Sequence, residues 1–310
     1  MRCLFILLCV LVLAAAPPPK HRNEIHVPVW TGADNDRSGR GLEVRDLNAT
    51  LEGAPARIRS VLGPGTDLMV LLVMDLVGDF SLVDEAKRSL AASIGKLPDN
   101  VYAGLMQAQD GLKVLRDPTV DREEVAAAIQ VLPVSGKPGL LDTVETALKI
   151  ADEILENTAV RIAVFYVTDS DVREYREDFT NPVINNSDWR DLSRRFPEGL
   201  IREKISKLDQ ALAAFEAPLF VVHLDYRSER LNEAYQAGLL QLAVTTGGTS
   251  LFCRSSTEIP EAIRKTFELM TSLYRVDIEL PDRHPKIIQL KLESASHQLS
   301  YRQRFLLNRR

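Results

Sequence analysis

No run of Lys or Arg occurs in this sequence, and its 38 basic residues are outnumbered by 43 acidic ones, for a net charge of −5. That balance argues against nucleic acid as the principal ligand and disfavours an anionic membrane surface. The longest apolar run near the start, residues 4–13, falls well short of the roughly 20 residues a bilayer-spanning helix needs. Catalytic signatures are missing too: there is no Gly-x-Ser-x-Gly elbow, no phosphate-cradling glycine loop and no paired carboxylate in a catalytic context. None of the five histidines, His21, His26, His223, His284 and His297, stands at a ligand spacing such as His-x-x-x-His. Enzymatic activity is not expected.

What remains is ordinary for a globular protein: 310 residues, 45% hydrophobic and 26% charged, enough for one large α/β domain and a small accessory one. Met1-Arg2-Cys3, the apolar stretch and Ala14-Ala15-Ala16 read as an export signal over residues 1–16. Pro17 disfavours cleavage directly after Ala16. The expected location is periplasmic or extracellular, with no transmembrane anchor after cleavage. Removal of the signal would take Cys3 and Cys9 with it and leave Cys253, expected to be a buried apolar residue.

The chain is organised around residues 68–81, LMVLLVMDLVGDFS, apolar from Leu68 to Met74 and then acidic at Asp75 and Asp79. A short apolar run without alternation suits a strand buried on both faces of a parallel sheet. Ligands of such sheets gather at the strands' carboxyl ends, where both acids fall. Helical periodicity follows over about residues 82–96, 121–131, 141–157, 200–215, 231–246 and 258–273, with apolar runs at 101–108, 161–167, 218–224 and 249–253. Alternation of this kind predicts a doubly wound α/β fold with a mostly parallel sheet. Asp110-Gly111 signals a tight hairpin and therefore one antiparallel edge strand. Ser81 with Asp84 reads as a capping-box start for the first helix.

Residues 17–63 and 274–310 carry short strand patterns on either side of the main domain at 64–273, and are expected to pair into one small β module. Periodicity lapses over residues 172–199, read as a lid or an insertion. Aromatics make up only 6% of the chain, yet Tyr175, Phe179, Trp189 and Phe196 gather there. Exposed, they would anchor a partner; folded down, they would tie the loop to the body.

The order and spacing of several stretches resemble a von Willebrand factor type A (VWA) domain, of the secreted bacterial VWFA-related type. The matching residues are Gly41-Leu42, Asp46-Leu47 and Leu51-Glu52-Gly53-Ala54-Pro55 in the β lead, and the strand ending at Asp75. Further on they are Asp121-Arg122-Glu123-Glu124-Val125, Thr168-Asp169-Ser170, the strand at Phe220, and Thr246-Gly247-Gly248-Thr249. The closing segment around Leu290-Lys291-Leu292 and Tyr301-Arg302-Gln303-Arg304 is also similar.

The resemblance implies a divalent-metal site suited to Mg²⁺, built from an Asp-x-Ser-x-Ser loop, a Thr and a later Asp, and the irregular, acid-rich set here also suits Ca²⁺. Here Asp75 and Asp169 keep their positions and Asp79 replaces a hydroxyl. Val77 and Pro138 stand where hydroxyl ligands are needed. Crowded acids favour a cation, whereas Asp at a strand end also serves as a turn former without one. The expected function is an exported, non-enzymatic protein-binding module with a degenerate metal-ion-dependent adhesion site. It would use loops around Asp75, Pro138, Asp169 and Asp171, with Trp189 as a further contact. The alternative is a structural component of a cell-envelope complex with a vestigial site.

Overall fold

A computed structural model describes residues 24–32, 41–78, 80–172, 175 and 198–307. Strands β1 (Glu24–Thr31), β2 (Leu47–Leu51), β3 (Ala54–Ala56) and β4 (Ile58–Leu62) lead to the organising strand β5 (Leu68–Asp75). Then follow α1 (Phe80–Ile94), β6 (Val101–Gln107), β7 (Lys113–Thr119), α2 (Arg122–Gln130), α3 (Leu140–Asn157) and β8 (Arg161–Thr168). After these come α4 (Glu198–Leu212), β9 (Leu219–His223), α5 (Arg230–Thr246), β10 (Thr249–Phe252) and α6 (Ile259–Thr271). Six strands form the central sheet in the order β10-β9-β8-β5-β6-β7. All neighbours are parallel except β6 and β7, as the doubly wound expectation requires.

β5 has no polar alternation because neither of its faces meets water. Leu68, Val70, Leu72 and Met74 pack with Leu90, Ile129 and Ile263 on one side, while Leu71 and Val73 pack with Leu148 and Leu239 on the other. Successive side chains point to opposite faces, so a strand covered twice reads as one apolar run. Each buried Leu or Val contributes roughly 1.5–3 kcal/mol. At the β6–β7 hairpin, Asp110 (φ 55°) and Gly111 (φ 102°) both adopt positive φ, the conformation the Asp-Gly pair suits.

One local expectation fails. α1 begins at Phe80, so Ser81 is its second residue and not the helix cap. Phe80 is 69% exposed and lies off the apolar stripe, which is why the periodicity begins later than the helix does.

The last strands, β11 (Tyr274–Glu279), β12 (Ile287–Ser294), β13 (Leu299–Tyr301) and β14 (Arg304–Leu306), join the first four in two antiparallel sheets, β13-β1-β11-β4 and β14-β12-β2-β3. Their shared core includes Ile25, Val27, Leu51, Val276, Ile288, Leu290 and Phe305. A buried polar cluster joins them to the central domain. Asp277 faces His26 Nδ1 at 2.6 Å, accepts from Arg275 Nε at 2.7 Å and accepts from Ser60 Oγ. Arg275 also donates to the carbonyls of Thr158 and Val160 after α3, at 3.0 and 2.8 Å. Among the described residues no helix is long and apolar enough to cross a membrane.

Candidate functional site

The chain leaves β5 through α1 toward β6, on one side of the sheet, and leaves β8 through α4 toward β9, on the other. Divergence of this kind between neighbouring parallel strands opens a crevice at their carboxyl ends, the usual ligand position in such sheets. Asp75 ends β5, and Asp169 directly follows β8. Register pairs Asp75 with Thr168, and the Asp169 amide points at the Asp75 carbonyl at 3.4 Å. The structure therefore brings together Asp75 and Asp169, two of the acids that the sequence singled out.

Both carboxylates are received by hydrogen-bond donors. Asp75 is fully buried. It accepts from the Gly139 amide at 2.8 Å, the Leu140 amide at 3.3 Å and the Thr168 hydroxyl at 3.0 Å. Gly139 and Leu140 begin α3, so Asp75 also sits at the positive end of an 18-residue helix. Gly139 is required there, because a Cβ at this position would lie 1.9 Å from the Ala108 carbonyl oxygen. Asp169 accepts from the amides of Val77 and Gly78, one on each oxygen and each at 2.8 Å. The loop after β5 is thus folded onto the acid after β8.

Burial dominates the electrostatics. Loss of solvent raises the Asp75 carboxyl to about 6, and the Asp169 charge adds to the rise, while the Gly139, Thr168 and Leu140 donors lower it. Tyr166, which shares a 2.9 Å contact with the Thr143 hydroxyl, is raised by burial as well. His223, at the end of β9, is lowered by burial. Its Nδ1 accepts from the Asp225 amide at 3.3 Å and its Nε2 faces the Ser170 carbonyl at 2.8 Å. The Nε2–H tautomer fits both partners, and the ring acts as a neutral tie between the ends of β8 and β9.

Among the described residues the oxygens do not converge as a divalent metal needs. Such an ion needs several oxygen lone pairs aimed at one point, whereas N–H and O–H donors are aimed at the oxygens of Asp75 and Asp169. The Val77 side chain offers no oxygen and Pro138, which is buried, offers no hydroxyl. Among the described residues no three of His, Cys, Asp and Glu are placed to hold a metal ion. Asp79 lies outside the described residues.

The remaining site residues fall as follows. Asp171 is buried and ion-paired to Arg227 at 2.8 Å, and Pro138 is buried just before α3. Tyr175 is buried against Tyr235, with ring centroids 5.7 Å apart, so it ties its loop to the body. Trp189, Phe179 and Phe196 lie outside the described residues. Sequence reasoning missed Arg227, and it missed two exposed apolar residues at this end, Phe80 and Val131, the latter 82% exposed at the end of α2. Phe80 carried one available signal, since it follows the acid loop directly and precedes the apolar stripe of α1.

No family model matches this chain, and no curated protein matches it. Among solved structures it is similar to a D319A mutant of the PilB minor pilin from Streptococcus sanguinis, at 10% identity and a TM-score of 0.49. That match covers 66% of this chain and 62% of the pilin, so the chain spans less than two thirds of its length. A von Willebrand factor type A structure from Catenulispora acidiphila is similar at 12% identity and a TM-score of 0.41, over 93% of this chain and 74% of that one. The SpRpn10 VWA domain is similar at 14% identity and 0.39, over 65% and 94%. At such identities and scores the likenesses carry no function to this chain.

Proposed function

We propose that this protein is an exported, non-enzymatic recognition module of von Willebrand factor type A design, binding a protein partner through the loops at the carboxyl edge of β5 and β8. The observation that carries the reading is Phe80, an aromatic ring 69% exposed at the first position of α1, beside the sheet's switch point. A large exposed apolar side chain there, with Val131 exposed on the neighbouring loop, suits burial by a partner, because aromatic anchors dominate interface energetics. The loops beneath are held by the amide contacts to Asp75 and Asp169, and loops already ordered lose little freedom on binding.

The polar groups support a non-enzymatic role. Asp75 and His223 are buried among fixed partners, and the buried Cys253 thiol is pushed up to about 12, which leaves it protonated and a poor nucleophile. Export follows from the signal-like residues 1–16.

Capture experiments on envelope and extracellular fractions test the reading. The wild-type chain should retain a partner that Phe80→Ser and Val131→Ser lose, with melting temperatures unchanged. Retention by both variants would favour the structural role, with contacts made by the β module.

A further inference from the structure

Two acids at the carboxyl edge are not served by backbone donors alone. Asp171, in the loop after β8, and Asp225, in the loop after β9, share one guanidinium: Arg227 Nη1 lies 2.8 Å from Asp171 Oδ2, and Arg227 Nη2 lies 2.8 Å from Asp225 Oδ2. Arg227 Nε donates to the same Asp225 oxygen at 2.8 Å.

The arginine is itself held in place. Its amide donates to Gln236 Oε1 at 2.9 Å and its carbonyl accepts from Gln236 Nε2 at 2.7 Å, and Gln236 is buried in α5. The same helix fixes the other loop, since Asn232 Oδ1 accepts from the Val172 amide at 3.1 Å and the Tyr235 hydroxyl contacts Ser170 Oγ at 3.1 Å. Burial works against the Arg227 charge, and Asp171, Asp225 and Glu229 outweigh it and hold the guanidinium above its ordinary value.

We infer that Arg227 is a built-in cation for this end of the sheet: it balances the acids beyond Asp75 and Asp169, as a divalent ion would in a site with free oxygen ligands, and makes the loop arrangement independent of metal. The observations divide the acids into two sets with different solutions. Asp75 and Asp169 accept from amide and hydroxyl donors, while Asp171 and Asp225 are bridged by a guanidinium that holds its charge at every working pH. A guanidinium also binds two carboxylates in fixed directions through separate nitrogens. The bridge therefore sets the spacing between the β8 and β9 loops as well as their charge. The inference is independent of the partner reading, whose test is the Phe80→Ser variant.

Thermal unfolding of the wild type and two variants of the whole chain tests it. An ion that binds only the folded form raises its melting temperature, so Mg²⁺, Ca²⁺, Mn²⁺ at millimolar concentration and EDTA should all leave the wild type unchanged. Arg227→Gln removes the guanidinium that Asp171 and Asp225 share and should lower the melting temperature by roughly 6 °C. The double variant Arg227→Gln/Asp171→Asn removes the cation together with the acid that most needs it, and should recover most of that loss. A melting temperature of the wild type that rises with any of the three metals overturns the inference. So does an Arg227→Gln variant as stable as the wild type. If Arg227→Gln does not fold, the double variant decides: recovery of a folded chain supports charge balance, and failure of both shows that the arginine acts through packing.

Discussion

Asp75 and Asp277 are both buried carboxylates at the seams of this molecule, yet burial leaves them in opposite states. Asp75, at the loop end of the central sheet, meets neutral donors and the like charge of Asp169, and its carboxyl rises to about 6. Asp277, where the antiparallel sheets meet the central domain, loses solvent as well, but His26, Arg275 and Ser60 outweigh that loss and bring it down to about 2. Three hydrogen bonds do not offset desolvation at Asp75, whereas a guanidinium with two further donors does so at Asp277. The His26 hydrogen bond leads in lowering Asp277, and the Arg275 charge and the Ser60 hydrogen bond add to it.

The largest expected effect comes from breaking the cationic seam. Arg275→Met removes the charge beside Asp277 and the bonds to Thr158 and Val160, and should cost about 3–5 kcal/mol in denaturant unfolding. The pH dependences of the two acids should run in opposite senses. Asp277 has a depressed folded value, so its stabilisation is present above the usual carboxylate value of 3.8 and is lost as pH falls toward about 2.

Asp75 has a raised folded value, so the folded state binds the extra proton between 3.8 and about 6 and stability falls as pH rises through that window. Roughly two pH units at about 1.4 kcal/mol each give a change on the order of 3 kcal/mol. It should appear as a slope in the wild type, read by melting temperature against pH, that Asp75→Asn lacks. Equal slopes in the two proteins would show that Asp75 titrates normally.

A smaller effect tests the amide cage itself. Gly139→Ala forces a methyl group toward the Ala108 carbonyl and should cost about 1–3 kcal/mol in chemical denaturation, moving the amide that Asp75 accepts from. The smallest stability effect is expected at Phe80, where Phe80→Ser should stay within about 0.5 kcal/mol of the wild type, as exposed substitutions usually do. A larger loss would place Phe80 in the packing of α1.

How much of this was legible in the sequence depends on how far apart the partners lie. β5, its two covered faces and the Asp110-Gly111 hairpin are written in short runs of residues, and the acids after β5 and β8 follow from where those strands end. The donors that complete the site are not local. Gly139 reaches Asp75 across 64 positions, and Arg227 bridges Asp171 only because β8 and β9 are neighbours in the sheet. His26 and Asp277, 251 positions apart, meet for the same reason at the other end. Pro138 stood out for the hydroxyl it lacks, and its burial depends on the packing of the whole loop. Phe80 escaped notice because its one signal, its place directly after the acid loop, lies outside a periodicity that records only what is buried.

The most direct test sets the two ends of the molecule against each other by capture from envelope and extracellular fractions. The baits are the wild type, Phe80→Ser at the loop end and Ile287→Ser on β12, where Ile287 is 43% exposed. The wild type and Ile287→Ser should retain the same partner and Phe80→Ser should lose it. Loss with Ile287→Ser and retention with Phe80→Ser would contradict recognition through the loop end and assign it to the antiparallel sheets.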